Sequence, residues 1–178
     1  MGLKNIISAD LARITKPSFK NFMKVYFFPH GSVFRYVFWL RIVQYAKSSK
    51  IRKIFLGIPA YLRLRHYEYK YGIHANTNIH IGKGLHIVHG GTVYLNCKSI
   101  GENVTVYQGV TFGSNNGSEN IPIIEDNVTV YTGAVVSGKV VLHNGCTIGA
   151  NAFVNRDVEA NTVVGGIPAK EIRTSKRI

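Results

Sequence analysis

Aliphatic side chains recur at every sixth residue through the C-terminal two thirds of the chain. Nine of the ten positions in the series that starts at residue 100 are apolar: Ile100, Val106, Phe112, Ser118, Ile124, Val130, Val136, Leu142, Ile148 and Val154. An α-helix repeats every 3.6 residues and a strand every two, so neither produces a period of six. The period is typical of a solenoid with three flat sides, in which three hexads make a coil of about 18 residues.

Two further observations support the solenoid. Small or β-branched residues stand four positions after the aliphatic ones, at Val104, Val110, Val128, Ala134, Val140, Cys146, Ala152 and Val158. An upstream series of Ile81, Ile87 and Val93 has the same step, and a single seven-residue step near Cys97 joins it to the first series. We therefore predict a mainly β protein with roughly five stacked coils over residues 73–165.

The polar exception, Ser118, lies in the run Gly-Ser-Asn-Asn-Gly-Ser-Glu-Asn at residues 113–120. A polar, glycine-containing run inside a regular repeat predicts a loop that leaves its coil. Such a loop is either a tolerated insertion or part of a site. We favour the site, because long loops on rigid scaffolds often carry function.

The N-terminal part of the chain differs in composition from the rest. Residues 1–70 hold 14 Lys and Arg but only two acidic residues, Asp10 and Glu68, and 15 of the 20 aromatic residues lie at or before Tyr71. We predict three parts: an N-terminal helical, basic and aromatic segment at 1–72, the β-helix at 73–165, and a tail at 166–178 that folds over the last coil.

Apolar residues at helical spacing support helices in the N-terminal segment. One predicted face holds Val33, Val37 and Leu40, and a second holds Ile51, Ile54, Ile58 and Leu62, with a kink expected at Pro59. The segment either caps the open first coil or contacts an anionic membrane. No nucleic-acid motif accompanies the charge, so we expect no nucleic-acid partner.

The sequence also indicates where in the cell the protein is expected. The most apolar stretch, residues 33–43, is interrupted by Arg35 and Arg41 and is too short to cross a bilayer, and we expect no signal peptide. Cys97 and Cys146 form no recognisable framework, so we expect both to be buried and reduced. These features favour a cytoplasmic protein, with peripheral contact to the inner face of the membrane as an option.

Three segments resemble the serine acetyltransferase branch of the hexapeptide-repeat acyltransferases. They are Ile-His-Ile-Gly-Lys-Gly-Leu-His-Ile-Val-His at 79–89, Val-Tyr-Gln-Gly-Val-Thr-Phe-Gly at 106–113 and Val-Gly-Gly-Ile-Pro-Ala-Lys at 164–170. The Tyr/Arg-rich helix before Tyr71-Gly72-Ile73 is most similar to members that acetylate capsular or exopolysaccharide sugars. The resemblance implies a left-handed parallel β-helix, a homotrimer with sites in the clefts between subunits, and acetyl-CoA bound in those clefts.

The same resemblance implies roles for individual residues. His89 falls on the catalytic histidine, and Gln108, Gly113 and Ser114 fall beside the reacting carbonyl. Looser similarity to sugar acetyltransferases implies coenzyme contacts at Gly133, Ala150, Asn155, Arg156, Lys170 and Arg173. Neutral imidazole, with an ordinary pKa of about 6.5, suits a general base, and backbone amides near Gly113 suit an oxyanion. Alternatively, Lys170 and Arg173 belong to a solvated basic tail that continues to Lys176 and Arg177.

Departures from the family pattern bear on the identity of the acceptor. Val88 stands where the family has an acid before the catalytic histidine, and Asn120-Ile121 stands where it has Arg-His. His74 replaces the acid that orients that histidine. We therefore expect a sugar hydroxyl of a capsular or exopolysaccharide as acceptor. The alternatives are a serine O-acetyltransferase of cysteine biosynthesis and a non-catalytic trimeric β-helix scaffold.

Three histidines at six-residue spacing, His74, His80 and His86, raise the question of a metal site. In a three-sided solenoid, a step of six moves to the next side, so these side chains should point away from one another. We expect no metal.

Overall fold

The structure is a computed structural model that describes residues 2–28, 32–117 and 119–174. Ser118, Lys176 and Arg177 lie outside the described residues. Helices form the N-terminal part: α1 (Leu3–Ala12), α2 (Phe19–Phe27), α3 (Ser32–Ala46), α4 (Lys50–Arg52), a π-helical turn (Lys53–Gly57) and α5 (Ile58–Tyr71). Helix α5 ends at Gly72, which adopts the left-handed conformation (φ 62°) and donates its N–H to the carbonyl of Glu68.

Short strands form the rest of the chain. They are β1 (Ile73–Ala75), β2 (His80–Ile81), β3 (His86–Ile87), β4 (Val93–Leu95), β5 (Ser99–Ile100), β6 (Thr105–Val106), β7 (Thr111–Gly113), β8 (Ile123–Ile124), β9 (Thr129–Val130), β10 (Val135–Ser137), β11 (Val141–Leu142), β12 (Thr147–Ile148), β13 (Phe153–Val154), β14 (Thr162–Gly165) and β15 (Lys170–Thr174). Strands β1 to β14 pair in parallel with strands one coil away, whereas β15 pairs antiparallel with β14.

Three parallel sheets make the sides of the solenoid. Sheet A has the order β1-β4-β7-β10-β13, sheet B the order β11-β8-β5-β2, and sheet C the order β15-β14-β12-β9-β6-β3. From β1 to β13, every third strand thus falls on the same side. Strand β14 follows β12 in sheet C because the intervening side forms only an isolated bridge between Leu142 and Val158. This confirms the predicted fold class, a left-handed parallel β-helix with N-terminal helices.

The hexad series forms the interior of the β-helix. All nine apolar members of the series are at most 2% exposed, and the small residues four positions later are also buried. Pairing within sheet B shows both irregularities that the sequence predicts. Ile81 pairs with Ile100 across the slip, Ile100 pairs with Ile124 across the loop, and Ile124 pairs with Leu142 across a regular coil. The slip and the loop therefore lengthen their coils without displacing the aliphatic column.

Close stacking of the coils requires glycine at one corner. A Cβ on Gly82 would lie 2.5 Å from the carbonyl carbon and oxygen of Gly101 in the next coil. A methyl group cannot fit against backbone at that distance, so this position excludes other residues. Asparagine serves the corners that need positive φ, as at Asn103 and Asn127 (φ 55° and 58°), because Asn tolerates the left-handed region.

A buried ion pair fastens the helices to the first coil. Arg41 of α3 contacts Asp10 of α1 through two hydrogen bonds of 2.8 and 3.1 Å. Arg41 also donates to the carbonyls of Ile81 and Gly82, while the Asp10 carboxylate accepts the N–H groups of Gly84 and Leu85. Both side chains are at most 2% exposed. Because these backbone partners lie at or between β2 and β3, the pair fixes the position of α1 and α3 on the solenoid.

The two predicted helix faces differ in their surroundings. Val33, Val37 and Leu40 are buried in the core shared with the β-helix. The face that contains Ile51 and Ile58 is exposed, although its residues also follow helical spacing. Pro59 lies in the first turn of α5, directly after the π-helical turn, where its missing N–H is tolerated. In the described part of the chain, none of the helices is long and apolar enough to cross a membrane.

Candidate functional site

Several predicted site residues stack along one edge of the β-helix, between sheets C and A. Sheet C pairs Ile87 with Val106, Val106 with Val130, and Thr147 and Ile148 with Thr129 and Val130. The residues two positions beyond these core residues are His89, Gln108, Thr132 and Ala150. We call this the histidine edge and define it as residues 88–92, 107–110, 131–134 and 149–152. Backbone hydrogen bonds from Gly133 to Gln108 (3.0 Å) and from Asn151 to Thr132 (2.8 Å) hold its turns together.

The turn that carries His89 presents an exposed imidazole. Gly91 donates its N–H to the carbonyl of Tyr71 (2.7 Å), which ties the turn to the end of α5. A Cβ on Gly90 would lie 3.2 Å from the same carbonyl oxygen, so the close approach favours glycine there. A fixed turn with an accessible imidazole is suited to proton transfer with a molecule outside the chain.

The surroundings of His89 are electropositive. Burial lowers the pKa of the neighbouring His86, and the charges of Arg13 and His89 lower it further. Arg13 reaches this region from the end of α1 and donates to the Thr105 hydroxyl at 2.7 Å. His86 therefore favours the neutral imidazole, and Arg13 adds positive charge beside it on sheet C.

One coil below His89, Gln108 carries a buried side-chain oxygen without a hydrogen-bond partner among the described residues. An unsatisfied buried acceptor costs about 1–3 kcal/mol. Because this oxygen is closed off from solvent, a bound molecule can supply the missing donor only if the Gln108 side chain rotates outward. The rings of Tyr107 and Tyr131 stack beside Gln108, with centroids 4.9 Å apart.

A second group of predicted residues lies along a different edge, between sheets A and B. Pairing of Phe112 with Val136 and of Val136 with Val154 places Gly113 and Asn155 in one row, with Ser114 and Arg156 in the next. We call this the loop edge and define it as residues 113–117, 119–120, 137–138 and 155–156. Gly138 donates to the carbonyl of Gly113 (2.9 Å), and a Cβ on Gly138 would lie 2.8 Å from the side-chain amide nitrogen of Asn115.

The two edges border opposite sides of sheet A. Gly113 lies five positions after Gln108 along the chain, which is about 16 Å of extended backbone. Within a single chain, the histidine edge therefore brings together His89, Gln108, Gly133 and Ala150. The loop edge brings together a separate group, Gly113, Ser114, Asn155 and Arg156. The single chain does not bring His89 together with Gly113.

Lys170 and Arg173 occupy a third position, on the exposed strand β15. Lys170 pairs with Gly165 and Arg173 with Val163, so both extend sheet C at the last coil. The segment between β14 and β15 crosses the end of sheet A, because Phe153 donates to Gly166 (3.0 Å) and accepts from Ala169 (2.8 Å).

The structure reveals a group that sequence reasoning missed. A cavity of about 480 Å³ with a mixed polar and apolar lining lies between α5 and the first strands of sheet A. In its wall, the Glu68 carboxylate contacts both His74 and Arg65, and the His74 ring lies against Tyr94 (5.5 Å between centroids). Thus His74, at the position of the family's orienting acid, is itself paired with an acid. The left-handed turn at Gly72 reverses the chain and makes this contact possible.

The three evenly spaced histidines do not converge. His74, His80 and His86 lie on β1, β2 and β3, which belong to three different sheets. Across the described ranges, no three His, Cys, Asp or Glu side chains are grouped as a metal site requires.

Comparisons with known proteins agree on the repeat. The family model "Bacterial transferase hexapeptide (six repeats)" matches residues 121–156. A serine acetyltransferase of Staphylococcus epidermidis is 38% identical over 109 residues, covering 60% of this chain and 51% of that protein. One of Staphylococcus aureus is 41% identical over 106 residues, covering 57% and 49%. The chain thus spans about half the length of these curated relatives.

Solved structures share the architecture. A serine acetyltransferase of Brucella abortus superposes with a TM-score of 0.79 at 20% identity, over 97% of this chain and 70% of that one. One of Neisseria gonorrhoeae superposes with a TM-score of 0.77 at 23% identity, over 99% and 68%. At these identities the likeness establishes the fold alone.

The coils and the repeat define the class of protein: a left-handed β-helix built from hexapeptide repeats. Within that class, residues 121–156 match the hexapeptide-repeat transferase model, and the relatives named here are serine acetyltransferases.

The expected acceptor needs correction. We expected a capsular or exopolysaccharide sugar because Val88 and Asn120-Ile121 replace residues that contact serine in the family. The relatives overturn that expectation, since they are serine acetyltransferases matched over 106–109 residues. Val88, Asn120 and Ile121 are three half-buried positions. They were too few to identify the acceptor, because the fit of an acceptor depends on the whole cleft rather than on a few contacts.

Proposed function

We propose that the protein is an acetyl-CoA-dependent serine O-acetyltransferase in which His89 is the general base. The observation that carries the proposal is the histidine edge, where an exposed imidazole lies one coil from the unpartnered oxygen of Gln108. Identity of 38–41% to serine acetyltransferases supports the acceptor.

In the proposed reaction, acetyl-CoA supplies an acyl group already activated as a thioester, so the chain needs no nucleophile of its own. The His89 imidazole accepts the hydroxyl proton of serine while the hydroxyl oxygen bonds to the thioester carbon. The resulting tetrahedral oxyanion needs preorganised donors, for which backbone N–H groups near Gly113 and Ser114 are suited. When the carbon–sulfur bond breaks, the imidazolium returns its proton to the leaving thiolate.

The coenzyme would lie along sheet A. Its phosphates suit Arg156, Lys170 and Arg173, which lie near the last coils, and small residues at Gly133 and Ala150 would let it approach the backbone. Asn155 stands next to Arg156 on the loop edge. These residues fit an elongated anionic molecule better than a compact one, because they span several coils.

A homotrimer is part of the same proposal. Within one chain, His89 and the Gly113–Ser114 segment border opposite sides of sheet A. They would meet if the loop edge of one copy packed against the histidine edge of the next, and a closed ring of three such contacts matches a three-sided solenoid. Sedimentation should give three times the chain mass of 19.8 kDa. A monomer that turns over at full rate would contradict the shared site.

We further propose a cytoplasmic location, with the basic N-terminal segment in peripheral contact with the anionic inner face of the membrane. The 14 Lys and Arg of residues 1–70 support this.

The activity test measures coenzyme A release from acetyl-CoA with L-serine as acceptor. Wild type should turn over, and His89→Ala should lose at least about a hundredfold in kcat, as expected when a general base is removed. His80→Ala is the matched control, because His80 is an exposed histidine on another sheet, and it should retain activity. Absence of both turnover and thermal stabilisation by coenzyme A would instead favour the non-catalytic scaffold.

A further inference from the structure

An apolar stripe on the N-terminal helices faces solvent. It runs through α4, the π-helical turn and the start of α5, and we call it the α4–α5 face. Its members are more than half exposed: Ile51 71%, Ile54 60%, Phe55 79%, Ile58 58% and Leu62 66%. Apolar residues at helical spacing normally pack against a core, and a contiguous exposed patch marks an interaction surface.

An apolar cavity opens on the same face. Its volume is about 210 Å³, and Val43, Ala46, Ile58 and Leu62 line it together with the aliphatic stems of two lysines. The cavity is lined almost wholly by apolar atoms, so it suits a hydrocarbon group.

The two lysines at this cavity are Lys47 and Lys53. The Lys47 ammonium donates to the Thr77 hydroxyl and the Asn78 side-chain oxygen, both at 2.6 Å. Partial burial lowers the pKa of Lys47, and the like charge of Lys53 lowers it further. Within residues 2–28, 32–117 and 119–174, neither ammonium forms an ion pair with a carboxylate. Two uncompensated positive charges beside an apolar cavity fit an anionic head joined to a hydrocarbon tail.

The positive charge of the N-terminal segment distinguishes between possible partners for the α4–α5 face. No acidic residue occurs between Asp10 and Glu68, and both of these carboxylates are engaged, the first with Arg41 and the second with Arg65 and His74. A second copy placed face to face would therefore oppose like charges. Nucleic acid would satisfy the lysines but would leave the aliphatic stripe in water, because its outer surface is phosphate.

We propose that the α4–α5 face docks on an anionic phospholipid bilayer, with Phe55 and Ile54 inserted among the acyl chains and Lys47 and Lys53 on headgroup phosphate. This names the residues of the membrane contact proposed above and rests on it. Basic helices with a large exposed apolar face bind membranes in this way, with the apolar residues buried at the boundary of headgroups and chains. Binding should weaken as salt is raised, because the electrostatic part is screened.

The test is co-sedimentation of the full chain with vesicles of phosphatidylcholine alone and of phosphatidylcholine with phosphatidylglycerol. Wild type should bind only the anionic vesicles. Phe55→Ser should weaken binding about tenfold, and Lys47→Gln with Lys53→Gln should remove most of the preference for phosphatidylglycerol. Phe19→Ser is the matched control, since Phe19 is an equally exposed phenylalanine (78%) on α2, and it should bind as wild type does.

Other outcomes would overturn the proposal. Equal binding to both vesicle types, no binding, or an equal loss in the Phe19 and Phe55 variants would each do so. A Phe55-dependent change in sedimentation mass without vesicles would assign the face to a second copy instead. Coenzyme A release, measured without vesicles, should be unchanged in every variant, which separates failure of this proposal from failure of the proposed activity.

Discussion

Replacement of Asp10 by alanine should destabilise the protein far more than a surface substitution. The change leaves the Arg41 guanidinium buried without its partner, which costs about 3–5 kcal/mol. It also removes the acceptor of the Gly84 and Leu85 N–H groups, and each unsatisfied amide adds about 1–3 kcal/mol unless water enters. A domain of this size has a total stability of about 5–15 kcal/mol. We therefore expect a loss of at least about 4 kcal/mol.

Urea unfolding followed by circular dichroism measures this loss, at one protein concentration because association of copies adds to stability. With a slope of about 2 kcal/mol per molar urea, the midpoint should fall by about 2 M. Asp10→Asn should lose less, because its amide oxygen still accepts from the two backbone groups. Arg41→Met combined with Asp10→Ala should lose less than the sum of the two single changes, with a coupling of about 1–3 kcal/mol.

The matched control is the exposed ion pair of Lys83 and Glu102, with nitrogen and oxygen 3.1 Å apart. Lys83→Ala should cost at most about 1 kcal/mol. A cost below about 1 kcal/mol for Asp10→Ala, or equal costs for the two substitutions, would refute the reasoning that the buried pair fastens the helices to the first coil.

Three further predictions concern the interior and the site. Phe112→Ala should cost about 3–5 kcal/mol in urea unfolding because the stacked coils cannot collapse around the cavity, and a cost under about 1 kcal/mol would contradict the close packing. Burial raises the pKa of Cys97 and Cys146 to about 12, so neither thiol should react with a disulfide reagent near neutral pH until the chain is unfolded, and fast native labelling would be inconsistent with this. The pKa of His86 is lowered below 6.5, so the unfolded chain takes up this proton first, and the unfolding free energy should fall as pH drops below about 6.5. In the His86→Gln variant, the unfolding free energy should fall less as the pH drops. A pH dependence equal to that of wild type would rule out this role of His86.

The sequence predicted the β-helix well because its signal is local and repeated. Each coil must bury an aliphatic residue at the same place, so six-residue spacing identifies the inward positions without knowledge of their neighbours. A segment that interrupts this spacing, such as the polar run at 113–120, can then be recognised as a loop. The same reasoning located the slip near Cys97, which pairing in sheet B reproduces.

Contacts between the helices and the β-helix were harder to predict. In the sequence, Arg41 is notable only because it interrupts the apolar stretch at 33–43, whereas in the structure it pairs with Asp10 of a different helix. The contact of Glu68 with His74 depends on the reversal at Gly72. Both contacts depend on tertiary geometry, which no periodic pattern encodes. The separation of His89 from Gly113 has the same origin, since the resemblance gives their roles but not the edge on which each lies.

The apolar spacing of Ile51 and Ile58 predicted a helix but not its partner. Helical periodicity identifies which residues share a face. It does not distinguish a face that packs on the core, as at Val37, from one that remains exposed. The structure shows that α3 already packs on the first coil of the β-helix, which leaves the face with Ile51 and Ile58 exposed.

The most direct test of the central claim is the rate of coenzyme A release from acetyl-CoA with L-serine, compared between wild type and His89→Ala at equal coenzyme A binding. The account predicts turnover by wild type and a loss of at least about a hundredfold in the variant, with coenzyme A still stabilising the variant against heat. Unchanged turnover by His89→Ala would contradict the account.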